Sequence, residues 1–158
     1  MSTIPPIEST ARTPRQQWMG TLAKAPAEQL EALWQGLGVK PEYRIIRTPE
    51  TGLVMVRGRV GGNGNRFNLG EMTVSRCVVR LSSGETGFSY RAGRDRRAAE
   101  IAALADAMLQ TEGWSEVIHA RLITPLAGVQ TAQREQTARR SAATRVDFFT
   151  MTRDRGAR

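Results

Sequence analysis

The sequence predicts an α+β fold: an antiparallel sheet of about four strands, with helices at the N-terminal side and two or three helices at the C-terminal side. Three observations carry this. Between Glu42 and Arg91 the chain holds short runs rich in β-branched residues, with apolar and polar positions alternating at the period of a strand. On either side of that block, apolar residues recur at helical spacing: Leu30, Leu33, Trp34 and Leu37 before it, and Ile101, Leu104, Ala105, Met108 and Leu109 after it. Gly, Pro, Asn and Ser punctuate the strand runs, as turns between neighbouring strands require.

The elements follow in order. Thr13 reads as an N-cap, with Pro14 at the first helical position and Gln16 closing a capping box. Trp18 and Leu22 share a face of that helix, one turn apart. Pro26 opens a second helix, and Gly38 is its natural terminator. Trp18 and Trp34 are expected in the core. Glu42 to Arg47 reads as a short strand and Thr48 to Gly52 as a turn. Leu53 to Val60 and Met72 to Leu81 then read as a strand pair around a glycine- and asparagine-rich loop, Gly61 to Gly70. Asn63, Asn65 and Asn68 tolerate left-handed backbone, as such a loop can require. Ser82 to Glu85 reads as a hairpin turn into the strand Thr86 to Arg91, whose Phe88 and Tyr90 share a face and are expected to pack in the core. Gly93 breaks that strand, and Asp95 caps the long helix carrying the stripe from Ile101 to Leu109. A further helix, Trp114 to Ile123, is interrupted or restarted at Thr124-Pro125.

The organisation follows from composition. Residues 1–12 read as a mobile N-terminal arm and 13–129 as one α+β domain. Residues 130–158 read as a polar helical arm ending in the apolar segment Arg145-Val146-Asp147-Phe148-Phe149-Thr150-Met151. An apolar plug at the end of a polar spacer suits docking, with Arg145, Asp147, Phe148, Phe149 and Met151 as its contacts. No signal peptide or membrane-length apolar run is seen, so a cytoplasmic protein is expected.

The formal charge is +8, and only Lys24 and Lys40 of the 23 basic residues are lysines. Arginine binds carboxylate and phosphate through a planar fork, which points to an anionic partner. A proteome that favours arginine throughout would give the same bias. Arg57, Arg59, Arg66, Asn68, Glu71 and Arg76 surround the glycine-rich loop and are the candidate anion-binding or subunit-contact residues. The loop lacks the Lys-Ser/Thr ending of a P-loop and leads into a strand, so neither nucleotide-binding fingerprint fits. Cys77 is the only cysteine and His119 the only histidine, and nothing in their spacing builds a metal site or a nucleophile–base pair. Glu71 stands without an acidic partner. No catalytic residue is therefore nominated. A nucleic-acid-binding module using Arg94, Arg96, Arg97, Arg139 and Arg140 is the alternative of a different class. The strands lack the interleaved exposed aromatics of single-strand binders, which counts against it.

Several blocks carry a resemblance: Trp18-Met19, Glu50 to Arg59 (ETGLVMVRGR), Phe67 to Cys77 (FNLGEMTVSRC), Gly93-Arg94-Asp95, and Ala142 to Met151 (AATRVDFFTM). Together the chain from about residue 14 to 152 resembles the PhnG subunit family of the carbon–phosphorus lyase system for phosphonate breakdown. The resemblance implies an accessory subunit of a core complex with PhnH, PhnI and PhnJ, served by the ATPase-like PhnL and PhnK components. It implies that the system joins ATP and methylphosphonate into α-D-ribose 1-methylphosphonate 5-triphosphate. The nucleoside-cleaving and C–P-cleaving steps belong in that family to PhnI and PhnJ, so ATP would be a substrate of the complex and no cofactor is expected on this chain alone. A C-terminal plug would then dock on PhnI or PhnJ.

Overall fold

A computed structural model describes residues 12–144. The docking segment expected at Arg145, Asp147, Phe148, Phe149 and Met151, and the N-terminal arm as far as residue 11, lie outside the described residues. The elements run α1 (Pro14–Lys24), α2 (Ala27–Leu37), β1 (Tyr43–Arg59), β2 (Arg66–Leu81), β3 (Thr86–Ala92), α3 (Arg96–Leu109), α4 (Glu112–Ile118) and α5 (Thr124–Ala143). The strands form one antiparallel sheet in the order β1-β2-β3. No helix among the described residues is long and apolar enough to cross a membrane.

Local sequence sets the helix ends. The Thr13 side chain accepts from the Gln16 backbone N–H, and the Gln16 side chain accepts from the Thr13 N–H at 2.9 Å. Gly38 ends α2 with φ 63°, the left-handed geometry that glycine adopts without strain. Asp95 caps α3 by accepting from the Ala98 N–H at 2.8 Å. Between α4 and α5, residues His119–Ile123 form a π-turn, so the two helices run on without a break. Pro125 has no N–H to give and its ring crowds the preceding turn; a wider turn beside it absorbs both faults.

Three strands are present rather than about four, because β1 absorbs the expected turn. Pro49 and Gly52 do not reverse the chain. The ladder instead slips once after Ile45 and once after Arg47, leaving one extra β1 residue each time. β1 is an edge strand, and Pro49 falls inside the second slip, where its missing N–H costs no ladder bond. The glycine-rich loop is also shorter than expected. A single 3₁₀ turn, Val60–Gly62, turns back so that β2 begins at Arg66. Gly61 and Gly62 take positive φ there, whereas no asparagine among the described residues does.

The helices cover one face of the sheet. That face presents Ser75, Cys77, Val79 and Leu81 from β2 and Gly87, Ser89 and Arg91 from β3, all buried. α3 lies directly on it. Every α3 residue from Ile101 to Leu109 is buried, and five of its buried positions from Ala99 to Ala107 are alanine. Small side chains let the helix backbone approach the sheet. At Gly87 the approach is closest: a Cβ there would lie 1.9 Å from the Ala103 carbonyl oxygen and 2.7 Å from the Ala107 nitrogen.

Phe88 and Tyr90 therefore do not pack in the core. They point to the open face of the sheet, 46% and 48% exposed. Their strand is fixed the other way up because only Gly87 fits beneath α3. Arg91, two residues further along that buried face, donates to the carbonyls of Leu22 and Ala25, the latter at 2.6 Å. It thus satisfies the carbonyl end of α1, where positive charge is favoured. Trp34 is buried and Trp18 half-buried, in line with expectation.

One buried carboxylate ties three elements together. Asp106 of α3 is fully buried and accepts four hydrogen bonds. The Arg15 fork donates through Nε at 3.2 Å and Nη2 at 2.7 Å, Trp18 Nε1 donates at 2.9 Å, and the Phe88 backbone N–H donates at 3.0 Å. The Asp106 hydrogen bond and charge raise the Arg15 pKa against its desolvation. Removing the carboxylate leaves the Trp18 indole N–H and the Phe88 backbone N–H without their acceptor and the partly exposed Arg15 fork without its partner. Asp106→Ala is expected to lose about 3 kcal/mol or more of unfolding free energy in urea denaturation. A loss below about 1 kcal/mol would mean the network holds nothing together. Gly87→Ala is expected to cost about 3 kcal/mol by overpacking, read in the same way.

Candidate interaction site on the β1–β2 ribbon

β3 pairs with β2 only from Arg80 as far as Val74. Beyond that point β1 and β2 continue alone as a two-stranded ribbon, from the pair Leu53–Thr73 to the pair Arg59–Arg66. At about 3.3 Å per residue the ribbon reaches roughly 20 Å past the third strand. An isolated pair of strands is marginal in water, so this part borrows its order from the sheet behind it.

Pairing fixes the faces. Leu53–Thr73, Met55–Glu71, Arg57–Asn68 and Arg59–Arg66 are opposite one another and share one face. That face continues the helix-covered side of the sheet, past the reach of the helices. The ladder slips between Val56 and Arg57, which makes Leu69 an extra residue on β2. The other face carries Val54, Val56, Gly58, Phe67, Gly70 and Met72. The Phe67 ring lies on Gly58, close enough that a Cβ there would sit 3.1 Å from Cζ.

Five of the six residues nominated from sequence thus come together: Arg57, Arg59, Arg66, Asn68 and Glu71 line one face of the ribbon. The extra residue at Leu69 puts Arg76 on the opposite face. Arg76 is also engaged, its Nε donating to Glu50 Oε1 at 2.5 Å, while Arg47 Nε donates to the same oxygen at 2.6 Å. The Arg76 hydrogen bond, with that from Arg47, holds the Glu50 carboxyl below the usual carboxylate range. No ion pair joins Arg57, Arg59 or Arg66 to a carboxylate among the described residues; Arg59 Nη1 donates only to the Gly64 carbonyl at 3.3 Å.

The ribbon is apolar as well as cationic. Leu53 is 64% and Leu69 66% exposed, and Met55, Val60, Phe67 and Met72 are exposed beside them. Six large apolar side chains on one unsupported element form the kind of surface that marks an interaction site. Elsewhere the arginine clusters are partly neutralised: Arg97 pairs with Glu100 at 3.2 Å and Arg139 with Glu135 at 3.6 Å.

The groups able to do covalent chemistry are kept apart. Cys77 is buried under α3, and its thiol donates to the Arg47 carbonyl at 3.4 Å. Burial first, then the Glu100 charge, pushes its pKa up to about 11. His119 sits exposed in the π-turn between α4 and α5. Among the described residues no three metal-binding side chains gather at one point. The Asp106 network and the buried Arg91 are what residue-by-residue reading missed. Their one signal was a carboxylate set within the alanine-rich apolar stripe of α3, where only a partnered charge can stay.

The family described as "Phosphonate metabolism protein PhnG" matches residues 13–154. A protein of Rhizobium meliloti (strain 1021) named "Alpha-D-ribose 1-methylphosphonate 5-triphosphate synthase subunit PhnG" is 46% identical over 139 residues, which is 88% of this chain and 88% of that one.

The thiol and Tyr43 give a pH signature. Burial, with the hydrogen bond to Glu100, pushes Tyr43 up to about 12 from its model-compound 10.0, as burial lifts Cys77 from 9.0 to about 11. Both groups hold their protons more tightly folded than unfolded. Their contribution is complete below about pH 9 and is lost as pH rises through 11 to 12. Unfolding free energy is expected to fall over that window and to fall less steeply in Cys77→Ala. A slope unchanged by that substitution would clear the thiol.

Proposed function

Since the chain belongs to the PhnG family of phosphonate-metabolism proteins, we propose that it is a subunit of an α-D-ribose 1-methylphosphonate 5-triphosphate synthase and does not catalyse the reaction alone. The single observation that carries this is the 46% identity to a subunit of that name over 88% of both chains. In this reading its companions are PhnH, PhnI and PhnJ, with PhnL and PhnK acting on the assembly, and ATP is a substrate of the complex.

The ribbon supports a subunit's role. A free protein gains nothing from six exposed large apolar side chains on an unsupported hairpin, whereas a subunit gains an insert that a neighbour can bury. Arg57, Arg59 and Arg66 on one face add a preference for an acidic wall, and Asn68 and Glu71 add polar contacts beside them. The apolar side chains of Phe67 and Met72 face the other way.

The test is co-expression of the tagged chain with PhnH, PhnI and PhnJ. The parent chain is expected to bring down its companions in fixed ratio. Leu53→Asp combined with Leu69→Asp is expected to cut recovery at least tenfold while shifting the Tm of the isolated chain by no more than about 2 °C, since both residues are already in water. Arg59→Glu is expected to weaken the assembly and reverse its dependence on salt. A parent chain that elutes alone from cells containing all three companions would overturn the subunit reading. Full recovery with every ribbon variant would overturn the ribbon's part in it.

A further inference from the structure

The β1–β2 ladder brings arginines together in three places, and one of them is half neutralised from within. Near its middle, Arg47 and Arg76 share the Glu50 carboxylate. At the ribbon tip Arg59 faces Arg66, in the surface already described. At the far end Arg44 lies directly opposite Arg80 on the open face of the sheet. Directly opposed side chains on antiparallel strands have Cβ atoms about 5 Å apart, and like charges in that position repel. No ion pair joins Arg44 or Arg80 to a carboxylate among the described residues. The nearest carboxylates in sequence are not used: Glu42 forms no ion pair among the described residues, and Glu85 accepts from the Ser83 hydroxyl.

Both arginines line a cavity. It measures about 340 Å³ and is lined by Tyr43, Arg44, Arg80, Leu81, Ser82 and Gly84. The β2–β3 turn orients one of them. Arg80 Nε donates to the Gly84 carbonyl at 3.2 Å, and Gly84 takes φ 112° to place that carbonyl, with its own N–H on Leu81 at 2.9 Å. Anchored at Nε, the Arg80 fork keeps both terminal nitrogens as donors. Tyr43 points its hydroxyl away, onto Glu100, so it walls the cavity without competing for an anion.

We infer that the Arg44–Arg80 cavity is a binding site for a tetrahedral phosphorus oxyanion. Two adjacent guanidinium charges match a dianion better than a single carboxylate, and the arginine fork fits the oxygens of phosphate or phosphonate. The cavity is larger than one such group, which leaves room for the remainder of an ester. Inorganic phosphate, a phosphonate and a polyphosphate chain share the chemistry the site recognises.

Titration calorimetry and thermal melting of the full chain test this, with inorganic phosphate, methylphosphonate and tripolyphosphate as probes at constant ionic strength. Saturable binding of at least one probe is expected, with a matching rise in Tm. Arg44→Met and Arg80→Met are each expected to weaken it at least tenfold. Without a probe Arg44→Met should melt no lower than the parent, because it removes a repulsion, whereas Arg80→Met also gives up the Gly84 hydrogen bond; a purely structural Arg44 would lower the Tm. Tighter binding of methylphosphonate or tripolyphosphate than of phosphate assigns the site to a phosphonate or a polyphosphate chain, and equal or tighter binding of phosphate assigns it to the free ion. Saturation absent for all three probes, saturation that survives both substitutions, or an Arg44→Met variant that melts several degrees lower without a probe would each overturn the assignment.

Discussion

The seating of α1, α3 and β3 on one another depends on the buried carboxylate of Asp106. It lies on α3 and takes hydrogen bonds from α1 and from the backbone of β3. Apolar contact alone holds helices on a sheet with little preference for how they slide or turn. A charge that cannot be exposed without losing four bonds sets both. Arg15 and Trp18 fix the height of α1 beside the sheet, and the Phe88 N–H fixes the level of β3 under α3. Gly87 sits next to that bond and admits the helix backbone, so the polar and steric devices agree on one arrangement.

From this follows the division between a covered and an uncovered half. Because α3 seats on Gly87, the aromatic side chains of β3 turn outward and the alanine-rich helix covers the other face. Arg91 comes to lie under α1 and closes that helix's carbonyl end. The helices cover only as much sheet as three strands provide, and the hairpin of β1 and β2 outruns them. The exposed ribbon is therefore what the core leaves over: strands long enough to pass beyond their own support, with large apolar and cationic side chains that the core does not use.

What the sequence made legible was local. The Thr13–Gln16 box, the Gly38 terminator and the Asp95 cap are each decided within a few residues, and each is present. The apolar stripes of α2 and α3 follow the same logic. Contacts distant in sequence were hidden. Arg15 and Asp106 are 91 positions apart, and neither residue type announces the other. Pro49 and Gly52 read as a turn because their backbone preferences suit one; at the sheet edge Pro49 instead falls within a bulge and Gly52 pairs with Val74. The nominated residues share a face only in part, for a similar reason. Alternation placed Arg57 with Arg59, but one extra residue at Leu69 reverses the side on which everything after it falls, and so parted Arg76 from Arg66 and Asn68. The outward turn of Phe88 and Tyr90 depended on the depth of a helix seat, which no alternation pattern encodes.

The bare hairpin also sets a condition on how the chain can be produced. A copy synthesised ahead of its companions displays open strand edges beside uncovered leucines, the template on which one sheet extends another. Three arginines at the tip act as a guard in that interval, since two identical tips meeting head to head repel. Solubility of the newly made polypeptide then becomes a question of supply: mutual repulsion delays self-association while translation of the neighbouring chains catches up.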